Sequence, residues 1–197
     1  LHTINVTNNK WDTLTIGGLQ GQTRGFLIDN QHSSNIYGKE LQLSLEGISV
    51  DLPDSLHRIS TGPISFDTEN NSMTVDSFFF TPVLERDAYL KKVGYSTDYI
   101  NVRTGKVNFE GIDVKAFLDN KDVVADKVHV YDMVIDDFRD RNYMERDTQL
   151  PVIPMQAIMN LENSIIINEL LVHNADISYS ELANDGVVPG VLRFENV

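Results

Sequence analysis

Apolar and polar residues alternate along most of this chain, and two short phrases recur inside the alternation. Leu41, Leu43 and Leu45 are separated by Gln42 and Ser44 and lead to Gly47, while Leu14-Thr15-Ile16 runs into Gly17-Gly18. A period of two residues describes a strand with one face on a core and the other in water. Strands of about 6–10 residues follow one another to the end of the chain, punctuated by turn residues. Glu69-Asn70-Asn71 and Asp119-Asn120-Lys121-Asp122 are two such turns.

The first phrase is glycine, any residue, an aliphatic, a polar residue and phenylalanine. It occurs as Gly62-Pro63-Ile64-Ser65-Phe66, Gly105-Lys106-Val107-Asn108-Phe109 and Gly190-Val191-Leu192-Arg193-Phe194, at spacings of 43 and 85 residues. The second places Asp or Asn after an aliphatic or small residue and ends on alternating apolar positions. Its copies are Val75-Asp76-Ser77-Phe78-Phe79-Phe80, Ala125-Asp126-Lys127-Val128-His129-Val130 and Ile167-Asn168-Glu169-Leu170-Leu171-Val172, spaced by 50 and 42 residues. Interleaved phrases at such intervals mark a repeated supersecondary unit. Each unit is predicted as a Gly-Phe strand joined by a hairpin to an antiparallel Asp/Asn strand.

The interval of 43 added to Gly105 reaches Thr148, where no third Gly-Phe strand starts. Leu150-Pro151-Val152-Ile153-Pro154 stands there instead, and proline cannot donate to a central ladder. A short helix is predicted over 155–159 and another over 84–93, the latter with Leu84, Ala88 and Lys91 on one face and Gly94 as its stop. Ile165-Ile166-Ile167 and Phe78-Phe79-Phe80 are apolar on both faces, so either neighbouring elements cover the second face or it lines an apolar concavity. The expected fold is all-β, mainly antiparallel, with repeated hairpins in a curled or elongated sheet or sandwich and one or two short helices. Residues 1–60 form a strand-rich N-terminal part and 61–197 the repeated-hairpin part, continuous with it.

A hydrophobic share of 41% and a charged share of 23% are those of a folded protein. The net charge of −13, with scattered Lys and Arg, argues against nucleic acid or an anionic membrane surface as partner. The lack of cysteine removes disulfides, thiolate metal sites and cysteine nucleophiles. No apolar run reaches the 18 or so residues that cross a bilayer, and no basic-then-apolar leader pattern occurs. The chain opens on Leu1 and stops after a strand-like phrase, as an excised piece of a longer protein would.

Candidate chemistry is sparse. His2, His32, His57, His129 and His173 include no pair at ligand spacing on one element. Asp132, Asp136, Asp137 and Asp140 lack the glycine and terminal glutamate of a calcium loop, and the interleaved Arg139 and Arg141 point to local ion pairing. Gly17-Gly18 and Gly21 lack the lysine of a phosphate loop, and no serine sits in a nucleophile elbow. Asn5 and Asn70 head short glycosylation sequons. No catalytic residue, metal or cofactor is assigned.

Residues 78–143 and 164–197 carry a run of structural phrases. Thr81-Pro82 leads through Glu85–Lys92 to Val93-Gly94-Tyr95, and Gly105–Asp113 precedes Val134-Ile135 and Phe138-Arg139-Asp140-Arg141. Asn174-Ala175-Asp176-Ile177-Ser178-Tyr179 and Glu181 then precede Gly190–Asn196. About half the chain thereby resembles the AsmA-like superfamily of Gram-negative envelope proteins, whose distant relatives include TamB. The resemblance implies an internal segment of a long periplasmic protein, held at the inner membrane by an N-terminal helix absent from this segment. It further implies a curled antiparallel sheet with an apolar groove, a part in envelope biogenesis, and phospholipid acyl chains and other envelope proteins as partners. Ile64, Phe66, Val107, Phe109, Val128, Val130, Leu170 and Val172 are the candidate groove lining; the same residues would equally form the closed core of a sandwich.

Two other readings compete with this non-enzymatic one. An extracellular or periplasmic β-sandwich could bind glycan or protein through exposed Trp11, Tyr37, Tyr95 and Tyr99. A hydrolase would need a cleft holding paired carboxylates with shifted pKa values.

Overall fold

The computed structural model describes residues 3–8, 11–24, 27–28, 36–37, 40–52, 54–116, 122–145 and 164–197. Strands dominate, as the alternation requires. They are β1 (Thr3–Asn8), β2 (Trp11–Gly17), β3 (Gln20–Arg24), β4 (Leu27–Ile28), β5 (Ile36–Tyr37), β6 (Glu40–Leu45), β7 (Gly47–Asp51) and β8 (His57–Thr61). There follow β9 (Ile64–Asp67), β10 (Ser72–Val75), β11 (Phe78–Pro82), helix α1 (Arg86–Val93), β12 (Asp98–Thr104) and β13 (Val107–Glu110). The series ends with β14 (Val123–Asp140), β15 (Ile165–Leu182) and β16 (Gly190–Phe194). Fourteen strands share one sheet, and β4 pairs with β5 in a separate two-stranded ribbon. The fold is all-β and mainly antiparallel, and its sheet crosses position 60 inside β8.

Most of the short strands are halves of longer ones. Between β6 and β7 lies Glu46 alone; between β8 and β9 lie Gly62-Pro63, between β10 and β11 Asp76-Ser77, and between β12 and β13 Gly105-Lys106. One set of halves, β2-β7-β8-β11-β12, forms one arm, and β3-β6-β9-β10-β13 forms the other. The 18-residue β14 runs unbroken past both, pairing Arg103 with its Val134 and Val107 with its Val130. The interruptions therefore align as a crease across the sheet.

Hydrogen bonding survives the crease. Gly62 N–H donates to Ser77 O at 3.0 Å and Asp76 N–H to Pro63 O at 2.9 Å; Gly105 N–H donates to Tyr131 O and Tyr131 N–H to Lys106 O, both at 2.9 Å. These bonds keep the backbone groups of Gly62, Asp76, Gly105 and Tyr131 paired, as polar groups away from water demand. The alternation, however, slips by one residue. Core-facing residues lie three apart rather than two at Leu45/Ile48, Val75/Phe78, Val130/Met133 and Val172/Ala175, and Phe78 packs against the cluster of Val75, Val107, Ala125 and Val128. Such a slip is a bulge, here repeated on neighbouring strands.

Special backbone conformations concentrate on this line: φ is +152° at Gly47, +53° at Asp132 and +60° at Asn174. Asn and Asp reach the left-handed region more readily than other non-glycine residues. A Cβ on Gly105 would lie 3.2 Å from Asp132 Oδ2, and Asn174 Nδ2 donates to Asp132 Oδ1 at 3.2 Å. A second such trio sits further along the same strands. Gly111 at φ +66° faces Asp126, whose Oδ1 accepts from Asn168 Nδ2 at 3.2 Å across 42 residues of sequence.

The predicted hairpins exist in the first two units. Ile64 pairs with Val75 and Phe66 with Met73; Val107 pairs with Val130 and Phe109 with Val128, all antiparallel. The last unit departs from the expectation. The 18-residue β15 runs parallel to β14, from Val123 opposite Ile165 to Asp140 opposite Leu182. Parallel neighbours cannot be joined by a tight turn, so the chain must cross over between them. The third Gly-Phe copy, β16, pairs antiparallel with the far half of β15, Ile177 opposite Phe194. The turn over 119–121, the proline-rich stretch at 150–154 and the helix predicted over 155–159 lie outside the described residues.

Helix α1 falls where expected and ends on Gly94, φ +78°, whose N–H donates to Leu90 O at 2.8 Å. Its buried residues are Tyr89 and Leu90, whereas Ala88 and Lys91 are exposed. The predicted face is wrong because α1 docks at a sheet end rather than on a sheet face. Tyr89 inserts between His57 and Tyr99, edge-on to both rings at 5.6 and 5.3 Å.

Gly47→Ala would place a Cβ 2.5 Å from Thr61 O at a positive φ, whereas Gly190→Ala meets nothing nearer than Glu181 O at 3.9 Å. Urea unfolding is expected to show a loss of about 2 kcal/mol for Gly47→Ala and under about 0.5 kcal/mol for Gly190→Ala. Equal midpoints for the two variants would contradict a sterically fixed crease.

Candidate functional site: an apolar sheet face

Strand pairing turns the alternation into rows that run across the sheet, because directly opposed residues share a face. Leu45, Ile64, Val75, Val107, Val130 and Val172 stand opposite one another in succession from β6 to β15. The next row is Leu43, Phe66, Met73, Phe109, Val128 and Leu170. Beyond the crease a third row begins at Val50 and continues through Ile59, Phe80, Val102, Ile135 and Ile177 to Phe194. All eight residues singled out as apolar lining stand in the first two rows, on one face.

Their burial is graded. Val107 and Val128 are buried, with Ala125 beneath them at 0% exposure; Ile64, Phe109 and Val130 are half-buried against this cluster, and Phe66 is half-buried. Toward the β15 edge the same rows surface, with Val172 39% and Leu170 60% exposed. Val75, Met73 and Ala125 complete the cluster without having been singled out. Met73 and Val75 follow plain alternation, while Ala125 stands three residues from Val128, an interval that a strict period of two does not read.

The opposite face is mostly polar across these strands, and its first row ends on β15 at Leu171. Ser44, Ser65, Thr74, Asn108 and His129 form one row; Gln42, Asp67, Ser72, Glu110, Lys127 and Glu169 form the other. Thr74 Oγ1 donates to Asn108 Oδ1 at 3.2 Å, and Lys127 pairs with Glu169 at 2.9 Å. His129 and His173, far apart in sequence, meet here with Nδ1 and Nε2 3.1 Å apart and rings stacked at 5.4 Å. One imidazole must be neutral to accept that proton. Among the described residues no group of three His, Cys, Asp or Glu could hold a metal ion.

The apolar rows end at α1 in an ionic cluster. Asp98, Arg139 and Glu181 are opposed across β12, β14 and β15, with Arg139 Nε 3.5 Å from Asp98 Oδ1. The Tyr179 hydroxyl, and after it Arg141 at 3.2 Å, holds the Glu181 carboxyl below the usual carboxylate range. Arg139 pairs across strands with Asp98, and Arg141 with Glu181 across strands and with Glu145 four residues on, rather than with Asp132, Asp136, Asp137 or Asp140. Asp136 and Asp140 stand on the face opposite Arg139, whereas Asp137, two residues away on the same face, feels its charge. Asp132 instead binds Asn174, and Asp140 accepts from Asn142 N–H at 2.8 Å.

Asp137 stands beside this cluster with Oδ1 buried and unpartnered. Burial first, and the nearby Asp98 charge second, push its carboxyl up to about 6. A raised carboxyl and an adjacent carboxylate would be the raw material of acid–base chemistry. A shallow depression of about 530 Å³ is lined in part by Asp136, Asp137, Asn101 and Ser178. Yet Asp136 shares its row with Asn101 and Ser178, while Asp137 shares one with Ile100 and Tyr179. The Asp136 and Asp137 side chains therefore leave opposite faces of β14.

Of the aromatics considered as a binding platform, Tyr99 is half-buried, edge-on to Tyr89, and donates its hydroxyl to Leu84 O at 3.2 Å. Tyr95 is half-buried, and the side chains of Trp11 and Tyr37 lie outside the described ones. Among the described residues no helix is long and apolar enough to cross a membrane, which says nothing of β-barrels. Comparison with protein-family models, curated proteins and solved structures finds no match.

Two predictions test this site. Asp137 carries a folded-state pKa above its unfolded value, so its protonated form stabilises the fold at low pH and that contribution disappears as pH rises through about 6. Asp137→Asn should raise stability by roughly 2 kcal/mol at pH 7.5 and by little at pH 4, read from thermal unfolding across that range. A pH-independent difference would refute the assignment. Val128→Asp, at a site only 3% exposed, should cost about 3 kcal/mol or more by placing an unpaired charge in the core. Retention of wild-type unfolding behaviour would show that the cluster is not the core.

Proposed function

We propose that this chain is a non-enzymatic segment of an AsmA-like envelope protein of the periplasm, whose apolar face takes up phospholipid acyl chains. The observation that carries the reading is the apolar face, which continues on one side of the sheet beyond the crease while the other side is mostly polar. A hydrocarbon tail needs a dry surface without hydrogen-bonding demands. Each methylene it buries contributes about 0.8 kcal/mol, so a few turns of chain suffice for reversible association. Graded burial supports this use, since a face sealed by its own core everywhere would offer nothing to a ligand. The membrane anchor and the inner-membrane attachment of the parent protein belong to the same proposal and rest on the phrases shared with that superfamily.

The reading is tested with doxyl-labelled stearic acid and methyl-resolved NMR of the labelled protein. Val107, Val130, Leu170 and Val172 methyls are expected to broaden at probe concentrations that leave Val134 and Leu171, on the other face, sharp. Uniform broadening, or none, would remove acyl binding and leave the face a structural core.

A further inference from the structure

The outer edge of β15 is half occupied. Its inner edge pairs with β14 along the whole length, but outward it has β16 opposite Ile177 to Glu181 and the Val197 backbone at Ala175. Among the described residues none pairs with the outward edge of Ile165–Asn174. Sheet proteins blunt free edges with proline, lysine, inward charges or bulges. This stretch has none of the first two, its acid, Glu169, is tied to Lys127 at 2.9 Å, and its irregularities fall at Asn168 and Asn174, outside the Glu169–His173 run. What it offers is a run of exposed apolar side chains at the backbone edge, with Ile165, Ile166, Leu170 and Val172 all surfacing.

We infer that the Ile165–Asn174 edge is a strand-addition site for an extended segment of another protein, paired antiparallel, with apolar residues at alternate positions opposite Leu170 and Val172. The chemistry of the occupant follows from the rows. Each row is apolar on every strand from β6 to β15, so the next strand continues it only by presenting an aliphatic and an aromatic or aliphatic residue two apart. Within this chain that requirement is met by Val107 and Phe109, which stand opposite Val130 and Val128, the residues that pair laterally with Val172 and Leu170. The main chain supplies the affinity of such additions and the alternate side chains their selectivity. A second copy of this chain is a poorer occupant. Each copy carries −13, and symmetric pairing over this stretch brings Glu169 close to its twin. The inference shares Leu170 and Val172 with the proposed acyl-binding face but differs from it in requiring the free backbone edge.

The probe is a fluorescein-labelled peptide copying Thr104–Ile112 of this chain, titrated with the whole chain and followed by anisotropy. Saturable one-to-one binding is expected, weakened about tenfold by the exposed double substitution Leu170→Lys, Val172→Lys. Two further peptides carry N-methyl groups on alternate amides, one set on each edge of the strand. One set should abolish binding and the other leave it, since an added strand uses only one of its edges. No saturable binding overturns the inference, and so does identical behaviour of the two N-methyl sets. Self-association of the chain that disappears with the same double substitution would overturn it in favour of a second copy. The N-methyl peptides act on the unsubstituted protein, so the result does not depend on the folding of the variant.

Discussion

A sheet whose strands all slip by one residue at the same line can keep a single apolar face only if every strand slips together. Were one strand to pass the crease in ordinary alternation, its far half would present polar side chains to the core and apolar ones to water. The coordinated slip is therefore the constraint on which the rest depends. It is held by small residues and by side chains that lean across strands: Ser77 against Gly62, Asp132 against Gly105, and Asn174 against Asp132. Backbone hydrogen bonds at Gly62, Asp76, Gly105 and Tyr131 span the line, while Asp132 and Asn174 take up left-handed φ values there.

Much of this was legible in the sequence. Alternation at Leu41–Leu45 gave a strand in place, and the interval of 42 residues between the Asp/Asn phrases became the lateral pairing of Asp126 with Asn168. The eight apolar positions emerged in two rows because a period of two is a local property that pairing preserves. The crease was not read. The Gly-Phe phrase predicts strand starts at Gly62 and Gly105, yet both stand at the crease between two strand halves, and of the three phrase glycines Gly190 begins a strand. A glycine in a strand interior signals a bulge only when its neighbour's partner is known, and that is tertiary information. The parallel course of β15 was hidden for the same reason, since side-chain period is identical in parallel and antiparallel ladders. The cross-strand partners of Arg139 and the meeting of His129 with His173 likewise exist only after register is fixed.

The apolar face is not chemically uniform along its length. Around Val128 it is a core, at Leu170 it is a surface, and near α1 it passes into Asp98, Asp137, Arg139, Tyr179 and Glu181. Burial of Asp137, with the Asp98 charge beside it, raises its carboxyl to about 6 at this polar end. The helix closes this end with Tyr89 and Leu90, leaving the apolar rows open toward the β15 edge.

The parallel ladder between β14 and β15 has a mechanical consequence. Tension applied between the start of the first strand and the end of the second pulls the two along their length in opposite directions. Every rung from Val123/Ile165 to Asp140/Leu182 is then sheared at once, where an antiparallel hairpin would unzip one rung at a time. Loaded in that direction, the longest pair of strands in the molecule would yield last.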